Sequence, residues 1–315
     1  MTQTAFLFPG QGSQAIGMAR DVYEADADAR QVIDTADAMI PGLRQIMFEG
    51  PEEDLRRTKY TQPALLTASI ALLTVFCKRC ATPPACVAGH SLGEYSALVA
   101  ANVLSFEQAL TLVKKRAELM DNAPAGSMAA IVGLSLEDVQ TIIESAKAAG
   151  ILVMANHNSP EQVVISGEVT AIDKACELAV EKVGPRRAIK LPVSGAFHSP
   201  LMQAACDELA SLIAATDFQE PTCPVITNVD GQATSSASVL KEKLSRQMIS
   251  SVYWVDTMQS LETLGVSMVL EIGSGKVLTG LYRKYSKEGQ VFNVSDMGAL
   301  EVCLTQLAEE TPVTC

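Results

Sequence analysis

Basic residues, histidines and prolines are all scarce in this sequence. Lys and Arg number 24 against 36 Asp and Glu, which gives a formal net charge of −12 at pH 7. A negative field of this size repels nucleic-acid phosphates and anionic lipid head groups, so it argues against a nucleic-acid-binding or membrane-surface protein. With only 14 prolines and 48% apolar residues among 315, the chain has little material for a disordered linker and ample material for a buried core.

Sequence signals for export and membrane insertion are also missing. No basic residue precedes the first apolar run, which stops at Pro9 and Gly10. The longest uncharged apolar stretch, residues 63–77, contains three hydroxyl side chains and ends at Lys78, so it predicts a buried helix rather than a membrane span. We therefore expect a cytoplasmic protein, or one in an organelle stroma or matrix from which a targeting segment has been removed.

The cysteines show no disulfide pattern. Eight of them lie at positions 77, 80, 86, 176, 206, 223, 303 and 315. Without a secretory signal and without dense spacing they are expected to be free thiols. Cys77 and Cys80 form a lone CxxC and the chain has only three histidines, so no metal site is expected.

Short apolar runs alternate with longer amphipathic segments over the first 120 residues, which is typical of β-α units around a parallel sheet. The pattern breaks near residues 121–126 and resumes after Gly195. At about 150 residues per domain, the length of the chain suggests two units. In the larger unit, strands are predicted at residues 6–8, 85–88, 224–227 and 267–271, and a helix at 94–101.

The segment between the break and the resumption forms a block of its own. Its predicted elements are strand 128–132, helix 136–149, strands 151–155 and 162–166, helix 171–183 and strand 187–192. The order β-α-β-β-α-β is that of a ferredoxin-like unit. We expect a ferredoxin-like domain, residues 126–194, inserted into a discontinuous catalytic domain of residues 1–125 and 195–315.

Residues 89–93 (GHSLG) form a GxSxG motif between a predicted strand and a predicted helix, the context of a nucleophile elbow. The glycines permit close backbone approach and the strained turn that exposes the serine hydroxyl. The alternative is a chance match, but the flanking strand and helix favour Ser91 as a nucleophile. The expected fold class is therefore α/β, with an α/β-hydrolase-like large domain built on a parallel sheet and a ferredoxin-like small domain.

A serine nucleophile needs a base, and three histidines compete for that role. His90 adjoins Ser91 on a tight turn and is expected to be a structural hydrogen-bonding residue. His157 lies in a turn-rich stretch and is expected on a surface loop. His198 follows the nucleophile in chain order, as the base does in α/β-hydrolase-like sites, and we take it as the base rather than as a structural histidine.

Seven motifs in order along nearly the whole chain carry a family resemblance. They are residues 8–14 (FPGQGSQ), 61–64 (TQPA), 89–94 (GHSLGE), 113–120 (VKKRAELM), 158–160 with 162–167 (NSP, QVVISG), 196–202 (AFHSPLM) and 271–273 (EIG). Together they resemble the malonyl-CoA:acyl carrier protein transacylase family. Seven ordered motifs are far more specific than one GxSxG.

The resemblance implies a ping-pong acyl transfer. Ser91 would attack the malonyl thioester, and His198 would accept its proton and later activate the carrier thiol. The oxyanion of each tetrahedral intermediate would be held by the backbone N–H groups of Gln11 and Leu92. Leu92 also follows from geometry, because the residue after the nucleophile is a usual donor at an elbow. The alternative for Gln11 is a turn residue between two glycines.

The resemblance also implies a pocket for the malonyl carboxylate. Arg116 would grip that carboxylate with two parallel charge-assisted hydrogen bonds, although an arginine after two lysines on a helix is otherwise a solvated residue. Gln62 would line the same pocket; its alternative is a polar residue at a helix start. Phe197 would crowd an α-methyl branch on the substrate, and Gly195 stands where some relatives carry a bulkier residue.

No carboxylate is obvious as the third member of a triad. The resemblance implies that a backbone carbonyl, that of Gln247, orients the histidine instead. Asn228 matches a further family motif and would support the site from behind.

The implied function is transfer of malonyl from malonyl-CoA to acyl carrier protein for fatty acid biosynthesis, with malonyl-CoA as substrate, no cofactor and no metal. The alternatives are a trans-acting acyltransferase of a polyketide pathway and a serine esterase; Arg116 and the lack of an HGGG sequence argue against the esterase. The expected partner is acyl carrier protein, with no nucleic acid and no membrane, and the expected state is a monomer.

Because carrier proteins of this kind are acidic, a local basic patch is expected to dock them. The candidates are Arg186, Arg187 and Lys190, and Lys276, Arg283, Lys284 and Lys287; their alternative is a solvated charge run.

Overall fold

The computed structural model describes residues 3–80, 82–193, 195–287 and 289–310 and contains two sheets. The larger sheet has the strand order β10-β9-β1-β2-β7-β8 and is parallel except for the β7–β8 pair. Its strands are β1 (Thr4–Phe8), β2 (Cys86–Gly89), β7 (Val225–Ile226), β8 (Ala233–Thr234), β9 (Met268–Ile272) and β10 (Gln290–Val294). The parallel sheet expected from the sequence is confirmed.

Helices cover both faces of the larger sheet. In this part of the chain they are α1 (Arg20–Ala25), α2 (Ala27–Met39), α3 (Leu43–Glu49), α4 (Glu52–Arg56), α5 (Thr58–Arg79), α6 (Gly93–Ala100), α7 (Phe106–Asp121), α10 (Gln203–Ala215), α11 (Ala237–Ser245), α12 (Trp254–Thr263), α13 (Val277–Tyr285) and α14 (Met297–Glu310). Short 3₁₀ turns lie at Pro200–Met202 and Gln247–Ile249.

The burial of β1 explains why its residues 5–8 are all apolar. Phe6 and Phe8 belong to one core cluster, and Ala5 and Leu7 belong to a second. Successive side chains of a strand point to opposite faces, so the two clusters lie on the two sides of the sheet. A parallel strand covered on both faces is expected to be continuously apolar, and residues 5–8 of β1 are, after Thr4 at its start.

Helix α5 is the core helix predicted at residues 63–77. It is long and apolar enough to cross a membrane by length and composition, but most of it is buried inside the protein. Lys78 and Arg79 end it at the surface, in ion pairs with Asp26 and Glu301.

The second sheet is antiparallel and has the strand order β4-β5-β3-β6. Its elements are β3 (Ser127–Val132), α8 (Leu136–Ala146), a 3₁₀ turn (Lys147–Ala149), β4 (Leu152–Ser159), β5 (Gln162–Gly167), α9 (Val169–Val183) and β6 (Ala188–Lys190). The two helices pack on the sheet through a third core cluster. Element order and strand order are those of a ferredoxin-like unit, so the predicted fold class is confirmed.

One local prediction is wrong. His157 was expected on a surface loop because of its turn-forming neighbours, yet it is a half-buried residue of β4. The strand continues to Ser159 because bulges keep it paired with β5, and because Asn156 also forms a parallel bridge to Val252 of the larger unit.

The cysteines agree with the expectation of free thiols. Seven of them, positions 77, 80, 86, 176, 206, 223 and 303, are free in the structure, and Cys315 lies outside the described residues.

Candidate active site

Ser91 lies at the sharp turn between β2 and α6. Its φ is 51°, in the left-handed region that a serine rarely adopts. The turn requires glycine on both sides: a Cβ on Gly89 would lie 1.9 Å from the carbonyl carbon of Gly93, and one on Gly93 would lie 2.1 Å from the carbonyl oxygen of Phe8. The GxSxG sequence therefore forms the elbow that its context predicted, with the serine at the carboxyl end of the parallel strands.

His198 faces the hydroxyl of Ser91. Its Nε2 is 2.8 Å from Ser91 Oγ, and its Nδ1 is 3.1 Å from the carbonyl oxygen of Gln247 and 2.9 Å from that of Ser250. Carbonyl oxygens only accept hydrogen bonds, so Nδ1 carries the proton and Nε2 presents a lone pair to the serine. This is the tautomer in which histidine can take the serine proton.

The environment of His198 keeps it neutral. The side chain is 4% exposed. Burial first, and then the charge of Arg116, lower the pKa of His198 to about 3. The imidazole is therefore an uncharged base at neutral pH.

Arg116, on α7, is 1% exposed although it follows two lysines. Its Nη1 donates to Gln62 Oε1 at 2.8 Å, and its Nη2 donates to Ser91 Oγ at 3.0 Å and to Gln247 Oε1 at 3.2 Å. The neighbouring Lys115 points outward instead and pairs with Glu208. The guanidinium thus lies beside the Ser91 hydroxyl, not on a solvated helix face.

The buried guanidinium is suited to an anion. Burial lowers the pKa of Arg116, but a guanidinium remains protonated in proteins. Its Nε is buried without a hydrogen-bond partner among the described residues, and the Tyr95 ring lies 5.7 Å from its central carbon. A buried cation with a free donor next to a nucleophile favours a substrate that carries a negative charge.

Gln62 and Gln247 bind the guanidinium from two sides. Gln62 lies inside α5, four residues past Thr58, and its Nε2 donates to Met120 Sδ at 3.1 Å. Gln247 Nε2 donates to the Ser91 carbonyl at 2.9 Å. The two amides leave both of their oxygens facing Arg116.

Asn228 clamps the backbone of the elbow. Its Oδ1 accepts from the N–H of Ser91 at 2.6 Å, and its Nδ2 donates to the carbonyl of Gly89 at 2.7 Å. The side chain therefore bonds the backbone on both sides of the turn and fixes its conformation.

The N–H groups of Gln11 and Leu92 are both free of hydrogen bonds within the described part of the chain. The loop of Gln11 packs on the elbow, since a Cβ on Gly10 would lie 2.4 Å from the carbonyl oxygen of His90. Leu92 N is adjacent to Ser91 in the chain and Gln11 N lies in the loop that packs on the elbow, and an oxyanion site needs two such free donors. The Gln11 side chain itself points to Thr58 Oγ1, at 3.4 Å.

Sequence reasoning missed two groups at this site. The Ser250 carbonyl carries no sequence signal, because a backbone oxygen is placed by the fold alone. Glu94 is 1% exposed and accepts from Asn228 N and Gln247 Nε2. A charged residue among the mostly apolar residues 92–101 was a signal that could have found it.

Known proteins are similar in sequence to this chain over nearly its full length. The acyl transferase domain family matches residues 5–301. The malonyl CoA-acyl carrier protein transacylase of Bacillus subtilis (strain 168) is 44% identical over 315 residues, covering 98% of this chain and 99% of that protein. The chain belongs to the malonyl CoA-acyl carrier protein transacylase family.

Other members of this transacylase family agree in sequence and in structure. The Escherichia coli (strain K12) protein is 41% identical over 288 residues, covering 90% of this chain and 93% of that protein. The acyl-carrier-protein-S-malonyltransferase of Bartonella henselae superimposes with a TM-score of 0.93 at 39% identity, over 97% of this chain and 99% of that one. A malonyl-transacylase solved with the acyl-carrier protein of a type II polyketide synthase superimposes with a TM-score of 0.92 at 38% identity. The match covers 97% of this chain and 100% of that one.

His90 and Phe197 are neighbours in sequence of Ser91 and His198. Among the described residues, neither side chain forms a hydrogen bond with Ser91. The Nε2 of His90 is 2.8 Å from Asn158 Oδ1, and its ring packs edge-on against Trp254. Phe197 is buried, and a Cβ on Gly195 would lie 2.7 Å from its ring. A residue larger than glycine at 195 would therefore move that ring.

The basic residues predicted for docking separate into two groups. Arg186, Arg187 and Lys190 are exposed, but Lys190 pairs with Asp173. Lys276 and Lys284 are exposed on and before α13, and they line a groove of about 360 Å³ that reaches Gln11 and His90. Arg283 and Lys287 are exposed nearby.

Proposed function

We propose that this chain transfers a malonyl group from malonyl-CoA to the phosphopantetheine thiol of an acyl carrier protein, by way of a malonyl ester on Ser91. The observation that carries the proposal is the buried Arg116 guanidinium 3.0 Å from Ser91 Oγ. An esterase for neutral acyl groups has no use for a buried cation at that distance. Full-length relatives that bear the transacylase name support the same activity.

In the first half-reaction Ser91 becomes acylated. His198 Nε2 takes the hydroxyl proton as Oγ forms a bond to the thioester carbon. The N–H groups of Gln11 and Leu92 hold the resulting oxyanion. The C–S bond then breaks, and the CoA sulfur leaves with the proton from His198 Nε2.

In the second half-reaction the carrier thiol takes the place of CoA. His198 Nε2 removes the thiol proton, and the sulfur attacks the ester carbon. The C–O bond to Ser91 breaks, and the serine oxygen recovers the proton. Through both steps the carbonyls of Gln247 and Ser250 hold the imidazole by Nδ1.

Arg116 selects the malonyl group. Its planar fork can bind a carboxylate through two parallel hydrogen bonds, and Gln62 and Gln247 orient it from behind. The buried ring of Phe197 before His198 leaves less room for a branched acyl group.

The pathway served is proposed to be fatty acid biosynthesis, in the cytoplasm. A polyketide pathway is a second candidate, because the chain is 38% identical to a malonyl-transacylase that was solved with a polyketide carrier. Transfer assays with a fatty-acid carrier and a polyketide carrier, in parallel, separate the two: the proposal expects faster transfer to the fatty-acid carrier.

For the carrier we propose docking at the two basic groups described above. The groove with Lys276 and Lys284 would take the phosphopantetheine arm, since its lysines suit a phosphate and it reaches the oxyanion loop. Arg186 and Arg187 would contact the carrier itself.

We also propose that residues 126–194 fold as one inserted domain between the two segments, 1–125 and 195–315, of the catalytic domain. The support is a single antiparallel bridge between Ala125 and Gly195, where the chain leaves and returns side by side, and a separate core cluster inside the insertion.

The decisive experiment is intact-mass measurement after mixing the protein with malonyl-CoA, acetyl-CoA or methylmalonyl-CoA. Wild type and the control variant Ser96→Ala, a buried hydroxyl without a partner among the described residues, are expected to gain the malonyl mass. Ser91→Ala is expected to gain none. A malonyl adduct on Ser91→Ala would overturn the proposal.

A further inference from the structure

Glu94 is a buried carboxyl that the transfer steps above do not use. It lies in the first turn of α6, three residues after Ser91. Its Oε2 accepts from Gln247 Nε2 at 2.7 Å and from the N–H of Asn228 at 3.1 Å. Both donors belong to residues that themselves bind the elbow or Arg116.

The first branch runs through the carboxamide of Gln247 to Arg116. With Nε2 on Glu94, the Oε1 of Gln247 faces the guanidinium. The reversed carboxamide would bring its N–H groups against the Arg116 donors and its oxygen against the carboxyl oxygen. The reversed oxygen would also face the Ser91 carbonyl, so Glu94 and that carbonyl together fix which end of Gln247 the arginine meets.

The second branch runs through Asn228 to the nucleophile. Glu94 Oε2 accepts from Asn228 N, and Asn228 Oδ1 accepts from Ser91 N. This branch acts on Ser91 whatever acyl group is transferred, whereas the first branch acts on the group that would bind a carboxylate. A change at Glu94 should therefore affect malonyl and acetyl substrates unequally.

The charge of Glu94 fits a place near the guanidinium. Burial raises its pKa to about 7, while the bonds from Gln247 and Asn228 and the charge of Arg116 act in the opposite direction. A carboxyl with two donors and a nearby cation can accept hydrogen bonds in either protonation state.

We propose that Glu94 is a positioning residue that fixes the Gln247 carboxamide, and through it the Arg116 guanidinium, in the orientation that binds the malonyl carboxylate. This proposal rests on the proposed function, because malonyl selectivity is its readout.

The test measures acylation rates with malonyl-CoA and acetyl-CoA by quenched-flow intact mass, normalised to the folded fraction. Glu94→Leu removes both acceptor contacts and is expected to lower the malonyl-to-acetyl ratio of rates about tenfold, the effect of losing one hydrogen bond to a charged group. Glu94→Gln retains an acceptor oxygen and is expected to keep the ratio within about threefold. Ser96→Ala, on the same helix, is the matched control.

A double-mutant cycle with Gln247→Ala, which keeps the backbone carbonyl facing His198, separates positioning from packing. In the Gln247→Ala background, Glu94→Leu is expected to change the malonyl-to-acetyl ratio little. Additive effects of the two substitutions on that ratio would overturn the proposal. An unchanged ratio in the single variant Glu94→Leu would also overturn it. If Glu94→Leu does not fold, Glu94→Asp takes its place, because the shorter side chain withdraws the carboxyl from Gln247. The proposal then requires Glu94→Asp to lower the malonyl-to-acetyl ratio and Glu94→Gln to leave it within about threefold. Absence of any malonyl adduct on wild type would count against the proposed function instead.

Discussion

At the scale of single residues, the buried charge of Arg116 has the clearest consequence. Arg116→Ala is expected to slow malonyl acylation roughly 30-fold or more, since losing a buried charged partner costs about 2–5 kcal/mol. Acetyl acylation, which offers no carboxylate, should change far less. Rates with the two CoA esters give the answer, with the surface variant Lys115→Ala as control. An equal fall for both substrates would make Arg116 structural.

The low pKa of His198 predicts an unusual pH profile at the same scale. A base with an ordinary histidine pKa would be protonated as pH falls below about 6.5. Because the pKa of His198 is about 3, its neutral fraction stays near one between pH 7.5 and 5. We therefore expect kcat/KM for acylation by malonyl-CoA to show no decline centred near pH 6.5, measured over that range. A half-maximal value near pH 6.5 would contradict the burial of this imidazole.

Single residues differ in how far sequence could predict them. Ser91 lies in a motif whose glycines the turn geometry demands, and His198 and Arg116 are predicted from ordered motifs. The structure brings the side chains of His198 and Arg116 within hydrogen-bond distance of the Ser91 hydroxyl. Glu94 and the Ser250 carbonyl could not be assigned with equal ease, because their partners at Asn228, Gln247 and His198 are distant in sequence and only the fold brings them together.

At the scale of elements, prediction succeeded where most of the element is buried. Residues 5–8 of β1 and most of residues 63–77 of α5 are buried, and their largely apolar sequences identify them. Strand β4 was predicted too short, because its last residues are held by bulges and by a bridge to Val252 that no local pattern encodes. Sequence therefore locates elements better than it locates their ends.

Helix α13 depends on a carboxylate outside it. Glu271, buried at the end of β9, accepts from the N–H groups of Leu278 at 3.0 Å and Thr279 at 2.7 Å. Glu271→Gln replaces one acceptor with a donor facing an N–H group, which costs about 1–3 kcal/mol. We expect a lower Tm and slower carrier transfer, because α13 lines the groove beside Gln11. The control Glu52→Gln breaks a surface ion pair with Arg56, so its Tm should stay near that of the wild type. An equal Tm for Glu271→Gln and the control would show that Glu271 does not stabilise the start of α13.

At the scale of the whole molecule, the net charge of −12 opposes association with an acidic carrier. Docking then depends on where the positive charges lie rather than on how many there are. Lys78 and Arg79 end α5 before β2 begins, whereas Ser91 directly follows β2, and their described ion pairs are with Asp26, Asp28 and Glu301, none of which lines the groove beside Gln11. This basic pair provides a charge-matched control for the proposed docking residues, with rates normalised to the folded fraction because its reversal also breaks the ion pairs with Asp26 and Glu301.

The double reversal Arg186→Glu with Arg187→Glu is expected to slow transfer to the carrier without changing acylation by malonyl-CoA. Charges at the rim of an interface act on the encounter rate and are screened by salt, so the slowing should be larger at low ionic strength than at high. The reversal of Lys78 and Arg79 changes the net charge by the same amount and should slow transfer much less. The test measures the rates of the two half-reactions separately over a series of salt concentrations. Equal slowing of acylation and of carrier transfer, or slowing that does not depend on salt, would exclude Arg186 and Arg187 from the docking surface. Equal slowing by the reversal of Lys78 and Arg79 would exclude them as well.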